Sequence, residues 1–212
     1  MQDYLKDPNK IEAKSFQMIR AETDLSAFDE LQQQIVMRLV HSSGNPDLAQ
    51  QVLISDSAIT TGVSALNNNC EVLCDVEMVK QGLTKRYLKQ NPLCFLNHPK
   101  TEEIANSSGQ TRTMSALELW TPHIENSIVI IGNAPTALFR LMENLEGGCA
   151  KPALVIGMPV GFVGAPESKH YLWQHYSELG VECITLNGRA GGSALAASAF
   201  NTLIRLQNNL TF

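Results

Sequence analysis

The chain has 212 residues, 44% of them hydrophobic and 17% charged, and its formal net charge is -5 at pH 7. This length and composition indicate one globular domain over residues 1–212, with enough apolar residues for a sizeable core. The negative charge and the lack of a broad basic region argue against nucleic acid as a partner.

Targeting signals and cysteine spacing indicate the cellular compartment of the protein. The N-terminal residues show no basic segment followed by an apolar one, so no signal peptide is predicted. The longest uncharged stretches, residues 152–166 and 190–204, are too short or too interrupted by Pro and Gly to span a bilayer. Five cysteines without a C-x-x-C spacing are typical of reduced thiols. We therefore predict a soluble cytoplasmic protein with no membrane partner and no metal site.

In chain order, apolar spacing and turn residues predict helices first and then mixed elements. Asn9 is a candidate N-cap of the first helix, and Gly44 is placed to end the second. The predicted elements of this part are helices over 9–22 and 27–42, a strand over 52–55, a helix over 59–66, a strand over 71–79, a short helix over 84–89, a strand over 93–96 and helices over 101–107 and 112–120.

Three strand–turn–helix units follow in the second half. The predicted strands cover 127–131, 153–156 and 181–186, and the helices after them cover 134–145, 167–179 and 193–206. Strands that alternate with helices of this length imply right-handed crossovers and a mainly parallel sheet. We predict an α/β fold with three α/β/α layers and about five strands, whose ligands bind beyond the carboxyl ends of the strands.

Glycine-rich turns follow the last three predicted strands, at residues 131–136, 156–164 and 187–193. Glycine lets the backbone approach a ligand, and a helix N-terminus presents unpaired N–H groups with a partial positive charge. None of the turns matches a nucleotide-binding fingerprint, and one such turn alone is more typical of architecture than of a site. Three in succession, with polar residues in two of them, favour a site for an anionic or richly hydrogen-bonding small molecule.

Outside the turns, His41 and Arg112 each have two interpretations. His41 lies near the end of a helix, where an imidazolium simply favours the negative end of the dipole; the functional alternative is proton donation. Arg112 lies in a first helical turn, where a cation opposes the dipole, which favours either a ligand carboxylate or a buried partner. Asp75 and Glu77 would share one face of a strand, which fits metal binding, acid–base chemistry or a solvated sheet edge equally well.

Simple structural roles also fit Arg20, Ser168 and Lys169. Arg20 is two positions before Glu22 and can be a salt-bridge residue. Ser168 and Lys169 lie in a predicted first turn, where a capping segment with a surface lysine is the plainer interpretation.

Several segments together are long and specific. They are Ser15-Phe16 with Ile19-Arg20-x-Glu22, Arg38-x2-His41, Cys74-Asp75-Val76-x-Met78-Val79, Gly109-x-Thr111-Arg112, Gly132-Asn-Ala-Pro-Thr-Ala-Leu-Phe139, Pro159-Val-Gly-Phe-Val-Gly164 with Glu167-Ser-Lys169, and Gly188-Arg189-x-Gly-Gly-Ser193. With them the chain resembles the precorrin-8X methylmutase family, also called cobalt-precorrin-8 methylmutase, from about Tyr4 to the last helix. It departs from the family pattern at Thr113-Met114 and at Ala190, where a second arginine is common.

The resemblance implies an isomerase of cobalamin biosynthesis. Such an enzyme moves a methyl group from C11 to C12 of precorrin-8X or cobalt-precorrin-8, giving hydrogenobyrinate or cobyrinate. It also implies an α/β fold, no dissociable cofactor, and a homodimer with sites near the subunit interface, and it places the catalytic acid at His41. The residues expected to bind the corrinoid tetrapyrrole are Ser15, Arg20, Thr111, Arg112, Asn133, Thr136, Gly161, Ser168, Lys169 and Arg189.

Two other functions stay open at this point. One is a binding protein that sequesters the corrinoid and passes it to the next enzyme, because the same binding slot would serve both roles. The other is an α/β enzyme that binds phosphate groups, supported by the glycine turns alone.

Overall fold

The computed structural model describes residues 4–212, which form nine α-helices and five β-strands. The strands are Val52–Ile54 (β1), Val72–Cys74 (β2), Ile128–Ile131 (β3), Leu154–Gly157 (β4) and Glu182–Leu186 (β5). The helices are Pro8–Glu22 (α1), Glu30–Ser43 (α2), Ala58–Asn67 (α3), Glu77–Gly82 (α4), Pro99–Ser108 (α5), Arg112–Ala116 (α6), Pro135–Glu146 (α7), Ala165–Leu179 (α8) and Ser193–Gln207 (α9). Short 3-10 helices cover Pro46–Gln51, Lys85–Tyr87 and Leu117–Leu119. Among the helices of residues 4–212, none is long and apolar enough to cross a bilayer.

The five strands form one sheet in the order β1-β5-β4-β3-β2. Strands β2 to β5 run parallel, with Ile128 of β3 opposite Leu154 of β4 and Leu154 opposite Glu182 of β5. At one edge β1 runs antiparallel to β5, with Val52 opposite Leu186. The mainly parallel, five-stranded sheet predicted from the sequence is confirmed.

Helices cover the sheet on both faces, so the three-layer prediction is also confirmed. Every residue of β3 and β4 is buried, as expected for strands that are covered on both sides. Alternate residues of the strands enter two separate cores. Ile130, Ile156 and Ile184 belong to the core formed with α2, α3 and α9, whereas Val129, Val155 and Cys183 belong to the core formed with α7 and α8.

The helix ends follow capping chemistry with small shifts from the prediction. Asp7 rather than Asn9 caps α1, because its carboxylate accepts the backbone N–H of Asn9 at 2.9 Å. Asp29 and Gln32 form a capping box that starts α2 at residue 30. Gly44 ends α2 in the left-handed conformation (φ 65°), as predicted.

The strand predicted over residues 71–79 is wrong beyond Cys74. The chain leaves the sheet at Asp75, and Glu77 is the first residue of α4. Asp75 and Glu77 therefore do not share a strand face, and the paired-carboxylate interpretation fails with the strand. The strand predicted over residues 93–96 reduces to one parallel bridge between Leu93 and Leu73.

Candidate active site

The three glycine turns lie where β3, β4 and β5 end, at the carboxyl edge of the sheet. The second and third turns are joined directly. The Gly192 N–H donates to the Met158 carbonyl at 2.8 Å, and the Gly161 N–H donates to the Arg189 carbonyl at 3.3 Å. These turns therefore form one hydrogen-bonded backbone unit, and the Gly161 N–H is already engaged within it.

Close backbone approach explains the glycine at position 191. A Cβ there would lie 2.6 Å from the carbonyl oxygen of Pro159, which is closer than real Cβ atoms come. Glycine at position 191 therefore allows the backbones of the second and third turns to lie in close contact.

The first turn is held by a buried carboxylate. Asp75 is 1% exposed, and its two oxygens accept the backbone N–H groups of Gly132 at 3.1 Å, Asn133 at 2.8 Å and Ala134 at 3.0 Å. Burial raises the pKa of the Asp75 carboxyl, and these hydrogen bonds oppose the rise. The expectation of free anion-binding donors is therefore wrong for this turn, because an internal anion occupies them.

Three threonine hydroxyls lie beside the first turn. The Thr136 Oγ1 atom lies 2.9 Å from Thr111 Oγ1 and 3.4 Å from Thr113 Oγ1. Thr111 also caps α6 by accepting the Met114 N–H at 3.3 Å. Thr111 and Thr136, two predicted binding residues, are thus brought together near Asn133, which is exposed.

Arg112 has partners within the protein. Its Nη2 donates to the Leu96 carbonyl and to Asn97 Oδ1, both at 2.9 Å. These partners are not buried, so the structure does not supply the buried partner of the second interpretation, and the exposed Arg112 is accessible to a ligand as well.

Ser168 and Lys169 support the turns from inside the protein. Both are 0% exposed, so the surface position expected of the lysine is wrong. The Lys169 Nζ donates to the carbonyl of Ala190 in the third turn, and Ser168 Oγ donates to Ala165 at 3.2 Å. Burial lowers the pKa of Lys169 to about 8.

Arg189 and Phe162 face solvent at the same edge. The guanidinium lies 4.9 Å from the centroid of the Phe162 ring, within cation–π range. Phe162 is 77% exposed and the adjacent Val163 is 90% exposed. The edge thus carries a cation beside an uncovered apolar surface.

His41 lies in the last turn of α2 and is exposed. Its imidazole stacks on Phe16 with centroids 5.2 Å apart. Partial burial and then the positive charge of Arg38 lower the pKa of His41, whereas Glu12 raises it. The ring borders an open depression of about 270 Å³ lined by Ser15, Met18, Ile19, Glu22, Val40, His41, Gly44 and Pro46.

Arg20 is on the same helix as Ser15, but it does not line the depression beside His41. Its Nη2 donates to the carbonyl of Phe212 at 3.4 Å, so it holds the segment after α9. The helix that carries His41 contacts α9 through Ser42 and Ser198, whose hydroxyl oxygens are 2.7 Å apart. Since α9 begins at the third glycine turn, this contact ties the His41 region to the carboxyl edge of the sheet.

A larger cavity, of about 690 Å³, lies at the opposite edge of the sheet, where β3 and β4 begin. None of the predicted site residues borders it. Its lining is Thr60, Thr61, Ser64, Ala65, Asn68, Cys70, Glu125, Asn126 and Ala153. Across residues 4–212, no group of three or more His, Cys, Asp and Glu side chains is arranged to hold a metal ion.

Comparison with known proteins identifies the family. A model of the precorrin-8X methylmutase family matches residues 10–206. The chain belongs to the precorrin-8X methylmutase family. It is therefore an isomerase, a methylmutase of cobalamin biosynthesis.

Individual relatives agree along almost the whole length. A precorrin-8X methylmutase of Sinorhizobium sp. is 43% identical over 205 residues, which cover 96% of this chain and 97% of the relative. A cobalt-precorrin-8 methylmutase of Methanocaldococcus jannaschii is 34% identical over 210 residues, 96% of each chain. The solved precorrin-8X methylmutase of Thermus thermophilus superposes with a TM-score of 0.84 at 32% identity, covering 95% of this chain and 97% of that structure.

Sequence reasoning missed the roles of three residues that shape this site. Asp75, which was predicted to share a strand face with Glu77, instead holds the first turn; Phe16 stacks on His41, and Phe212 stacks on Phe16. Phe16 and Asp75 lie within the family segments quoted above, which is a signal that the sequence offers. Nothing in the sequence marks Phe212.

Proposed function

We propose that this methylmutase moves the methyl group of precorrin-8X or cobalt-precorrin-8 from C11 to C12, with His41 as the acid. The observation that carries the proposal is the accessible imidazole of His41 beside an open depression, in a chain of this family. The products are hydrogenobyrinate and cobyrinate. In this proposal the enzyme acts on a corrinoid in the cytoplasm, a compartment in which its five free cysteines stay reduced.

The proposed step is an intramolecular rearrangement that balances without a further reactant. Protonation by the His41 imidazolium makes the ring system electron-poor; the C11–methyl bond breaks as the C12–methyl bond forms, and the imidazole then takes a proton back. A lowered pKa makes the imidazolium a stronger acid. One placed acid contributes about 10²–10⁴-fold to the rate, and holding the ring in its reactive shape contributes more.

Recognition of the substrate needs cations, hydroxyls and a flat apolar surface, because the ring carries several carboxylates. Arg189 supplies an exposed cation, and Phe162 beside it supplies an uncovered ring face. The Thr111 and Thr136 hydroxyls and the exposed Asn133 side chain add hydrogen-bonding groups at the same edge. In this proposal Gly161, Ser168 and Lys169 keep the turns in place. Arg20 and Arg112 hold the segments next to the site through their hydrogen bonds to Phe212, Leu96 and Asn97.

Replacement of His41 tests the acid. His41→Ala should lower turnover by about 10²–10⁴-fold while tight binding of the tetrapyrrole remains. The matched control is His175→Ala, which removes an imidazole from α8 that pairs with Glu178 at 3.0 Å. Single-turnover spectra with metal-free and with cobalt-containing substrate separate an enzyme from a carrier protein and assign the substrate. Full activity in His41→Ala contradicts the proposal.

We also propose that the enzyme is a homodimer in which a second copy covers Val160 and Val163 of the second glycine turn and leaves the Phe162 ring to the substrate. Val160 and Val163 are 46% and 90% exposed, and neighbouring exposed apolar residues are typical of interaction surfaces. Val163→Glu should shift the protein towards the monomer in light scattering. An unchanged dimer would argue for another interface.

A further inference from the structure

Phe16 joins the His41 imidazole to a residue from the far end of the chain. Within Pro8–Glu22, Phe16 alone is buried, at 5% exposure. Its ring stacks on His41 with a centroid distance of 5.2 Å and an interplanar angle of 13°, and on Phe212 with 3.8 Å and 14°. Three nearly parallel rings from three separate segments therefore form one continuous stack.

Phe212 is fixed by contacts on its backbone and on its ring. Its N–H donates to Gln34 Oε1 at 2.7 Å, and its carbonyl accepts from Arg20 at 3.4 Å. The guanidinium carbons of Arg205 and Arg38 lie 4.2 and 5.6 Å from the ring centroid. Side chains from α1, α2 and α9 thus converge on this one residue.

The charges around the stack come from the same three helices. Burial and then Arg38 of α2 lower the pKa of His41, and Glu12 of α1 raises it. Arg205 of α9 lies 3.6 Å from Glu12, and burial and then the charge of Arg205 lower the pKa of Arg38. Glu22 borders the depression on the α1 side. Arg38 therefore contacts the Phe212 ring and also acts on the imidazole, and Arg205 links the Phe212 ring to Glu12.

We propose that Phe16 and Phe212 are positioning residues that hold the His41 imidazole in the orientation from which it donates its proton. An imidazole in the exposed last turn of a helix has several rotamers available, whereas a ring stacked on a buried, anchored neighbour keeps one. Proton transfer needs that fixed geometry. The inference rests on the acid role proposed for His41. It adds the residues through which the rest of the chain fixes the orientation of the imidazole.

The test compares Phe212→Ala and Phe212→Leu with Phe212→Tyr in the full-length enzyme. Phe212→Ala should lower kcat about 10-fold with KM unchanged within about twofold, because misplacing a catalytic group costs rate more than binding. Phe212→Tyr keeps the aromatic stack and should restore kcat. Phe212→Leu keeps apolar volume without a flat ring and should behave as Phe212→Ala does, which separates stacking from simple packing.

A second measurement reads His41 directly. Titration of its imidazole by NMR in Phe212→Ala should move the pKa upward towards the ordinary value, because the ring becomes more hydrated. The matched control is Tyr171→Ala, which breaks another surface contact between rings, the tilted pair of Tyr171 and His175 of α8 with centroids 4.3 Å apart. That variant should leave kcat and the His41 titration unchanged.

The outcomes separate this inference from the acid role. Wild-type kcat in folded Phe212→Ala and Phe212→Leu overturns the positioning role, as does a lowered kcat with an unchanged His41 titration. If Phe212→Ala moves the His41 titration while His41→Ala keeps full turnover, the stack positions the imidazole and the proposed acid role is what fails.

Discussion

The Asp75 carboxylate accepts the backbone N–H of Asn133 at 2.8 Å and thereby ties the turn before α7 to the end of β2. With the bonds from Gly132 and Ala134, one buried side chain satisfies three successive donors. The N-terminal end of α7, where an external anion was expected, carries its own anion instead. The first turn therefore contributes side chains to the site and little free backbone.

Removing this carboxylate should destabilise the fold. Asp75→Ala leaves three backbone N–H groups, two of them buried, without their partner and should cost about 3 kcal/mol in the free energy of unfolding, measured by urea denaturation. Asp75→Asn keeps one acceptor oxygen and should cost less. Asp56→Asn, at an exposed position, is the control and should have almost no effect. An unchanged urea midpoint in Asp75→Ala contradicts this role.

Stability should also depend on pH through Lys169. Burial lowers its pKa from the ordinary 10.5 to about 8, and within the described part of the chain no carboxylate pairs with it. Between these two pH values the unfolded chain binds the proton and the folded chain does not, so the free energy of unfolding rises with pH. The charged lysine costs about 3 kcal/mol below pH 8, and that cost disappears as pH approaches 10.5.

A methionine at position 169 checks this contribution. Urea midpoints of the wild type should increase relative to those of Lys169→Met between pH 8 and 10, since the variant has no proton to lose. If the urea midpoints of the two proteins change with pH in the same way, folding does not lower the pKa of Lys169.

Two of the exposed arginines, Arg189 and Arg112, should differ in what they control. Arg189→Ala removes an exposed cation and should raise KM about 10-fold, with kcat and the melting temperature nearly unchanged. Arg112→Ala also breaks the bonds to Leu96 and Asn97 and should lower stability by about 1 kcal/mol. Initial rates and thermal melts of both variants make the comparison. Equal effects on both observables would remove the distinction.

The reaction rate should fall as pH rises, because the acid must be protonated. Burial and Arg38 lower the pKa of His41, so the midpoint of kcat/KM should lie below about 6.5. Glu12→Gln removes the charge that raises this pKa and should move the midpoint lower still. The measurement is the pH profile of kcat/KM for both proteins, and Glu143→Gln on α7 provides a distant carboxylate control. A rate that rises with pH would assign His41 a different part in the chemistry.

Sequence periodicity was sufficient to predict the three layers and the mainly parallel sheet, because β3 and β4 are continuous apolar runs that are each followed by a glycine turn and a helix. It failed at Asp75, where an apolar run continues past the point at which the carboxylate turns the chain away from the sheet. It also failed at Lys169, because a lysine near the start of a helix is normally solvated. Here the third glycine turn, at residues 187–193, packs against the lysine and accepts its hydrogen bond. Within the site, the short segments that carry the candidate residues could each be recognised in the sequence separately. The contact of Phe16 with Phe212 spans almost the entire chain, and no local pattern contains it.

The strand order has a consequence for synthesis on the ribosome. β1 hydrogen-bonds only to β5 within the sheet, so the first strand made has no neighbour until the last one has been translated. The unit from β3 to β5 is contiguous in the chain and can assemble by itself as it emerges, with β1 added afterwards to its outer side. Closure of that edge should therefore wait for β5, and a nascent chain stalled before residue 182 should leave β1 accessible to proteolysis.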